Sequence, residues 1–224
     1  VRGLNSANAI TVSQTELASY ELSGTLGPAD NTVAQISGQD QFYVFINNTR
    51  YPASAFVISQ RGLANQPKII MNEEESALFP AGALLPPADG TVIRGINSPA
   101  VYLVNKGKLQ LYSALTFDQY NVAKKIQIVP EQEIPLYPKE GFVAPLNGSL
   151  IRTSENPTVY LVEEGLKRGL SAELFRNRGL SFKNLVIISS DEMNALASGG
   201  IAAPKDLTYF QSLPSNQLFL YKNR

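Results

Sequence analysis

Two side chains are missing altogether: the 224-residue chain contains no cysteine and no histidine. Without cysteine there is no disulfide framework and no thiolate metal site. Without histidine the chain lacks the side chain that titrates nearest neutrality and the commonest metal ligand. Ser-His-Asp and Cys-His nucleophile systems are thereby excluded, as is zinc hydrolase chemistry of the His-rich kind. Charge is sparse as well, at 17% of residues, with 19 Lys and Arg against 19 Asp and Glu. No basic excess draws the chain to phosphate backbones or anionic lipid, and it has no acidic tail or long charge run. No apolar run reaches the roughly 18 residues that a membrane span needs. The sequence starts at Val1 without a signal-peptide pattern, so any targeting segment is expected to lie outside these residues.

What is present is a period. Self-alignment pairs "DGTVIRGINSPAVYLVNKGKLQLYSALTFDQY" from Asp89 with "NGSLIRTSENPTVYLVEEGLKRGLSAELFRNRG" from Asn147, without gaps, at an offset of 58. Val101-Tyr102-Leu103-Val104 meets Val159-Tyr160-Leu161-Val162, and Ser113-Ala114 meets Ser171-Ala172. An earlier stretch follows at an offset of 59, with Tyr43-Val44-Phe45-Ile46 and Ser54-Ala55-Phe56 in the corresponding places. Three full copies of about 59 residues therefore cover 29–87, 88–145 and 146–204, ending in Pro87, Pro145 and Pro204. Residues 1–28 match the closing part of a copy, and 205–224 match the opening part of another, with Leu218-Phe219-Leu220 as its Val-Tyr-Leu. The two partial copies together lack about 11 residues of a whole one, which fits either a window onto a longer array or a closed ring of four copies.

The period predicts an α+β fold built from a small βββαβα unit, a meander followed by two short helices. Asp30-Asn31, Asp89-Gly90 and Asn147-Gly148 are opening turns, because Asn, Asp and Gly tolerate positive φ. The most β-prone run, Val101–Val104, is followed by the turn residues Asn105-Lys106-Gly107 and a third strand over 108–112. Then Ser171 reads as a helix N-cap, and Gly3, Gly62, Asn121 and Gly179 share a C-cap position. Asn in the place of Gly points to a backbone role there. A strand follows in each copy (10–12, 69–71, 126–129, 185–188), then a second short helix with Glu16, Glu75, Glu133 or Glu192 near its positive end. A unit this small leans on its neighbours to complete its core.

Candidate chemistry is thin. The recurrent glutamate, one per copy and without a visible partner, is expected to compensate the helix N-terminus and not to act as a general acid. The aromatic series Tyr43, Tyr102, Tyr160 and Phe219 offers a sugar-stacking platform in a glycan-binding protein, against the plainer expectation of strand aromatics in a core. Arg94 and Arg152 face Gln35 and Gln211 at equivalent positions, which argues against a fork for phosphate or carboxylate. The acidic run Glu73-Glu74-Glu75 lacks the spaced oxygens of a calcium loop. No metal site and no cofactor is expected.

The pattern G-[TS]-[VL]-[IV]-R-x(4)-P-x-V-Y-L-V-x-x-G-x-[KL]-R, followed by S-x-x-x-F and a valine-rich strand before an acidic helix, resembles tandem repeats of large secreted and cell-surface bacterial proteins, surface-layer-like and wall-associated ones among them. The first full copy departs from it at Gln35, Gln41 and Asn48. The resemblance implies a non-catalytic, extracellular structural or interaction protein whose repeats contribute to a surface lattice, filament or stalk. The absence of cysteine fits such proteins. Its implied partners are other copies or other surface proteins. The alternative is a repeat module that binds cell-wall or surface polysaccharide through the aromatic series.

Overall fold

The computed structural model describes residues 10–21 and 26–222. The fold is α+β, with several small sheets and short helices; among the described residues no α-helix exceeds six residues. Contacts divide the chain into two compact units. Among the described residues, one holds those up to Pro99 together with 104–109 and 127–138; the other holds 100–103, 110–126 and 139–222.

The short helix α1 (Gln14–Leu17) comes first, capped by Ser13. The first full sequence copy then forms β1 (Val33–Ile36), β2 (Phe42–Ile46), β3 (Thr49–Ala53), α2 (Ala55–Gln60), β4 (Lys68–Met71) and α3 (Glu73–Ala77). Its sheet has the order β3-β2-β1-β4. The first three strands are antiparallel neighbours, whereas β4 runs parallel to β1, with Ala34 opposite Ile69. A parallel partner needs a crossover, and α2 supplies it. Asn47 and Asn48 join β2 to β3 with φ of 48° and 62°, the two positive values that a tight twisted hairpin demands. Lys106-Gly107 and Glu164-Gly165 do the same in the later copies.

The second copy forms β5 (Val92–Gly95), β6 (Val101–Asn105), β7 (Lys108–Leu111), α4 (Ala114–Gln119), β8 (Ile126–Val129) and β9 (Lys139–Phe142), in the sheet order β8-β5-β6-β7-β9. The third forms β10 (Leu150–Arg152), β11 (Tyr160–Glu163), β12 (Leu166–Gly169), α5 (Ala172–Asn177), β13 (Leu185–Ile187), α6 (Ser190–Ala195) and β14 (Ser198–Ile201), in the order β13-β10-β11-β12-β14. A two-stranded hairpin, β15 (Thr208–Gln211) with β16 (Leu218–Tyr221), comes last.

Apolar packing explains why the strand sequences are continuous apolar runs instead of alternating ones. In the third copy Ile151 and Val162 pack with Ile188, Met193 and Leu196 on one face, while Leu150 and Leu161 pack with Phe175 and Ala202 on the other. Strands covered on both faces need apolar residues at every position. In the first copy Ala34, Phe45, Met71 and Phe79 form a cluster in which the Phe79 ring meets the Phe45 ring edge-on at 5.2 Å.

Three sequence expectations require correction. Each copy closes with a further strand after the second helix: β9, β14, and in the first copy a bridge between Arg50 and Ala81. These segments carry Gly82, Gly141, Gly199 and Gly200, and glycine suppresses the strand signal while the pairing edge of the third strand still recruits the backbone. The second helix of the middle copy is a 3-10 segment, Glu131–Leu136, because Pro135 lies inside it. Residues 10–12, expected as a strand, belong to no sheet. The partial copy 1–28 is described only at 10–21 and 26–28, so Gly3 lies outside the described residues.

The shared C-cap position does adopt the left-handed conformation: φ is 72° at Gly62, 48° at Asn121 and 67° at Gly179. Space around Gly62 is open, so only the backbone limits substitution there. Gly62→Val should lower stability by about 1–2 kcal/mol, and Gly62→Asn by distinctly less, in urea unfolding followed by circular dichroism. Equal losses for the two variants would remove the backbone explanation.

Candidate functional site

The first helix of each full copy, α2, α4 or α5, is six residues long and begins at a serine N-cap: Ser54, Ser113 and Ser171. Each cap oxygen accepts a backbone N–H three residues on, at 3.1–3.3 Å, as helix starts require. That leaves the hydroxyl proton free to point elsewhere. Ser54 Oγ donates to Glu133 Oε1 at 2.7 Å, and Ser113 Oγ donates to Glu192 Oε1 at 2.6 Å. Both carboxylates belong to the following sequence copy, and both are buried, with 6% and 3% of their surface exposed. Tyr137 also donates to Glu133, and burial together with that carboxylate pushes its phenol well above the usual tyrosine range.

The recurrent glutamate therefore does more than compensate a helix end. Glu75 does behave as expected: it is exposed, and it accepts from its own cap residue, Asn72 N–H, at 3.0 Å in a capping box. Glu133 and Glu192 occupy the same sequence position but reach the preceding copy.

A second set of bonds sits at the other end of these helices. Gln60 donates through Nε2 to Thr91 Oγ1 at 2.9 Å and accepts through Oε1 from Ala88 N–H at 3.1 Å. Gln119 repeats this with Ser149 Oγ (2.7 Å) and Leu146 N–H (2.9 Å), and Asn177 with Thr208 Oγ1 (3.2 Å) and Lys205 N–H (3.0 Å). A carboxamide can donate and accept at once, which neither a carboxylate nor an ammonium can do. Because the oxygen must face the backbone N–H, the amide has a single workable orientation. The next residue, Arg61, Tyr120 or Arg178, donates to the carbonyl of Pro86, Ala144 or Ala203, just before the next opening turn. The first helix of each full copy is thus tied to the opening segment of the next one.

The sequence contains the signal for these contacts. Gln60, Gln119 and Asn177 recur at the copy period, as do the hydroxyls of Thr32, Thr91, Ser149 and Thr208. Only their meeting in space reveals a joint, since the partners are about 30 residues apart.

The aromatic series is not gathered into one place. Tyr43, Tyr102 and Tyr160 lie on the second strands of three different sheets. Tyr43 is half-buried against the Phe45 cluster, with the Arg50 guanidinium 5.4 Å from its ring centre. Tyr102 is 9% exposed and lies under the Lys139 ammonium. Tyr160 packs beside Ile151 and Val162, and Phe219 on β16 is 53% exposed. A cleft of about 810 Å³ in the second unit is lined in part by Glu163, Arg168, Arg178 and Lys205. There Glu163 takes up both guanidinium groups, Arg178 at 2.7 Å and Arg168 at 3.5 Å. Among the described residues no group of three or more acidic side chains could hold a metal ion, and no helix is long and apolar enough to cross a membrane.

No family model and no curated protein matches the chain. Among solved structures it is similar to a chain of the periplasmic assembly from the ESX-5 inner membrane complex, at 11% identity over 81% of this chain and 65% of that one, with a TM-score of 0.21. It is likewise similar to a chain of the EccB3 dimer from the ESX-3 core complex, at 15% identity over 82% and 47%, also with a TM-score of 0.21. The chain spans about half to two thirds of the length of these proteins. Likeness at this level does not define a common fold.

The joint generates two expected outcomes. Ser113→Ala strips the buried Glu192 of its donor and α4 of its cap, whereas Ser171→Ala removes a cap and a hydrogen bond to the fully exposed Glu173. The first should cost more, by about 1–3 kcal/mol for the stranded buried acceptor, and equal losses in urea unfolding would show that the bond to Glu192 adds nothing. Burial raises the Glu192 carboxyl above its ordinary value, while the Ser113 hydrogen bond opposes the shift. A pKa raised on folding means that the folded chain holds the proton more tightly. The contribution of Glu192 is therefore full below its unfolded pKa and declines as pH rises through its folded one. Glu192→Gln should remove that decline, giving a stability difference from the natural chain that grows as pH rises above the ordinary glutamate value. A difference independent of pH would refute it.

Proposed function

We propose that the chain is a non-catalytic structural repeat protein, in which copies of about 59 residues are joined in tandem and serve in an extracellular assembly on a bacterial surface. The observation that carries this reading is where the recurrent polar chemistry goes. Gln60, Gln119 and Asn177, and Ser54 and Ser113 with Glu133 and Glu192, are bonded across the boundaries between sequence copies. An array that bears load or builds a scaffold needs each copy fixed on the next, and side chains of fixed chemistry at fixed spacing do that. A catalytic site would instead gather unlike groups around one space, and this chain has neither histidine nor cysteine to contribute.

The small size of the copy supports the same reading. Stacked repeats complete their cores through neighbour contacts, and their stability is a sum of copy and interface contributions. Other copies or other proteins of the assembly are the partners this implies. Neither the half-buried placement of Tyr43 and Tyr160 nor the burial of Tyr102 favours the polysaccharide alternative.

The surface assignment is tested by immunolabelling the cells that make the protein, with antibodies raised against the chain. Intact cells should be labelled as strongly as permeabilised ones. Label that appears only after permeabilisation would overturn the assignment.

A further inference from the structure

Each full copy shows an isoleucine to solvent on an edge of its sheet. β4, β8 and β13 stand at an end of their sheets, and Ile70, Ile128 and Ile187, which share one sequence position, are 64%, 49% and 56% exposed. Ile128 belongs to the copy that has a full copy on either side. The exposure therefore belongs to the repeat position itself. Open edges are usually guarded by a lysine, a proline or a bulge. Here a β-branched apolar residue, a strong strand former, stands on the edge instead.

The third copy shows the edge most fully. Ile188 N–H donates to the Arg152 carbonyl at 2.9 Å, on the side of β10. Successive residues of a strand turn their backbone groups to opposite sides, so the N–H and C=O of Ile187 face away from the sheet. The two ends of this edge carry opposite charges. Lys183 stands four residues before Ile187 and Asp191 four residues after it, and both are exposed. Glu155 adds a carboxylate at the Asp191 end, where it accepts the Ser190 hydroxyl at 3.0 Å. Among the described residues neither Lys183 nor Asp191 takes part in an ion pair. At each of the other two edges a flanking charge is already engaged: Lys68 lies 4.5 Å from the centre of the Phe42 ring, and Glu131 accepts Asn97 N–H at 3.2 Å.

Resting on the assembly reading above, we infer that two copies of this chain pair through β13. The strands run antiparallel about a two-fold axis at Ile187, so that each Ile187 meets its counterpart. An antiparallel partner reverses the order of the charges and brings Lys183 of each chain to the Asp191 end of the other. A parallel partner would set lysine beside lysine, which is unfavourable. The outward N–H and C=O of the two Ile187 residues bond to each other, as at a hydrogen-bonded antiparallel pair. Adding a strand to an open edge supplies main-chain hydrogen bonds, while the isoleucine contact and the order of charge set the register. The contact is isologous and closes at a dimer.

Sedimentation velocity of the whole chain across a range of concentrations tests this, with variants confined to exposed positions. The natural chain should pass from 24.4 kDa to twice that mass, less readily in high salt. Ile187→Lys places two ammonium groups on the axis and should leave a monomer. Lys183→Glu makes both ends of the edge negative and should weaken dimerisation by about tenfold. Adding Asp191→Lys to it restores the complementarity in reverse and should recover the dimer, which also shows that the variants are folded. A natural chain that stays monomeric throughout overturns the inference, as does a dimer of Ile187→Lys or a double variant no better than Lys183→Glu alone. Ile187→Cys gives a second readout, because the chain has no other cysteine. The Cα atoms of such a pair stand roughly 5.5 Å apart, within disulfide reach. Mild oxidation should link Ile187→Cys chains faster than Ile70→Cys chains, and equal rates would overturn the assignment to β13. None of these outcomes bears on the surface labelling, so the two readings fail separately.

Discussion

A carboxamide that must donate and accept at once is the constraint on which the rest depends. Gln60, Gln119 and Asn177 each hold a hydroxyl and a backbone N–H of the next opening turn. Two bonds of opposite sense fix the angle as well as the distance, so the helix end and the turn meet in one way. That turn launches the first strand, and the first strand stands beside both the second strand and the parallel fourth in the first and third copies. An error at the amide would therefore pass directly into the register of the sheet.

The buried glutamates act on the same helix from its other end. A carboxylate out of water is costly unless hydrogen-bonded. At Glu192 burial outweighs the Ser113 hydrogen bond in setting the carboxyl pKa. Such a group adds little to net stability, but it penalises every arrangement in which the serine is absent. Together with the carboxamide, the buried glutamate makes each of α2 and α4 a two-ended clamp. The apolar clusters around Phe45 and Ile151 provide the driving force, which is not directional; the polar joints make it specific.

Much of the local structure was legible in the sequence. The opening turns with positive φ at Asn31, Gly90 and Gly148, the turn at Lys106-Gly107, the serine cap at Ser171 and the left-handed position shared by Gly62, Asn121 and Gly179 are all matters of backbone sterics within a few residues. Such signals survive in a single sequence because no distant partner is needed to produce them. The closing strands β9 and β14 were missed because their glycines carry little propensity, and an existing strand edge recruits them. Residues 10–12 failed in the opposite sense: they have the right propensity, but no sheet among the described residues takes them.

The candidate site divides along the same line. The sequence by itself determined which residue types stand about 59 positions apart and that neither histidine nor cysteine is among them. It could not say that Glu75 turns back on its own helix while Glu133 and Glu192 reach a serine 79 residues earlier. Those three share a sequence position, and only what stands next to each of them differs. The tertiary structure decided it, because a hydrogen bond depends on which groups meet in space, whereas a period records only which residues recur.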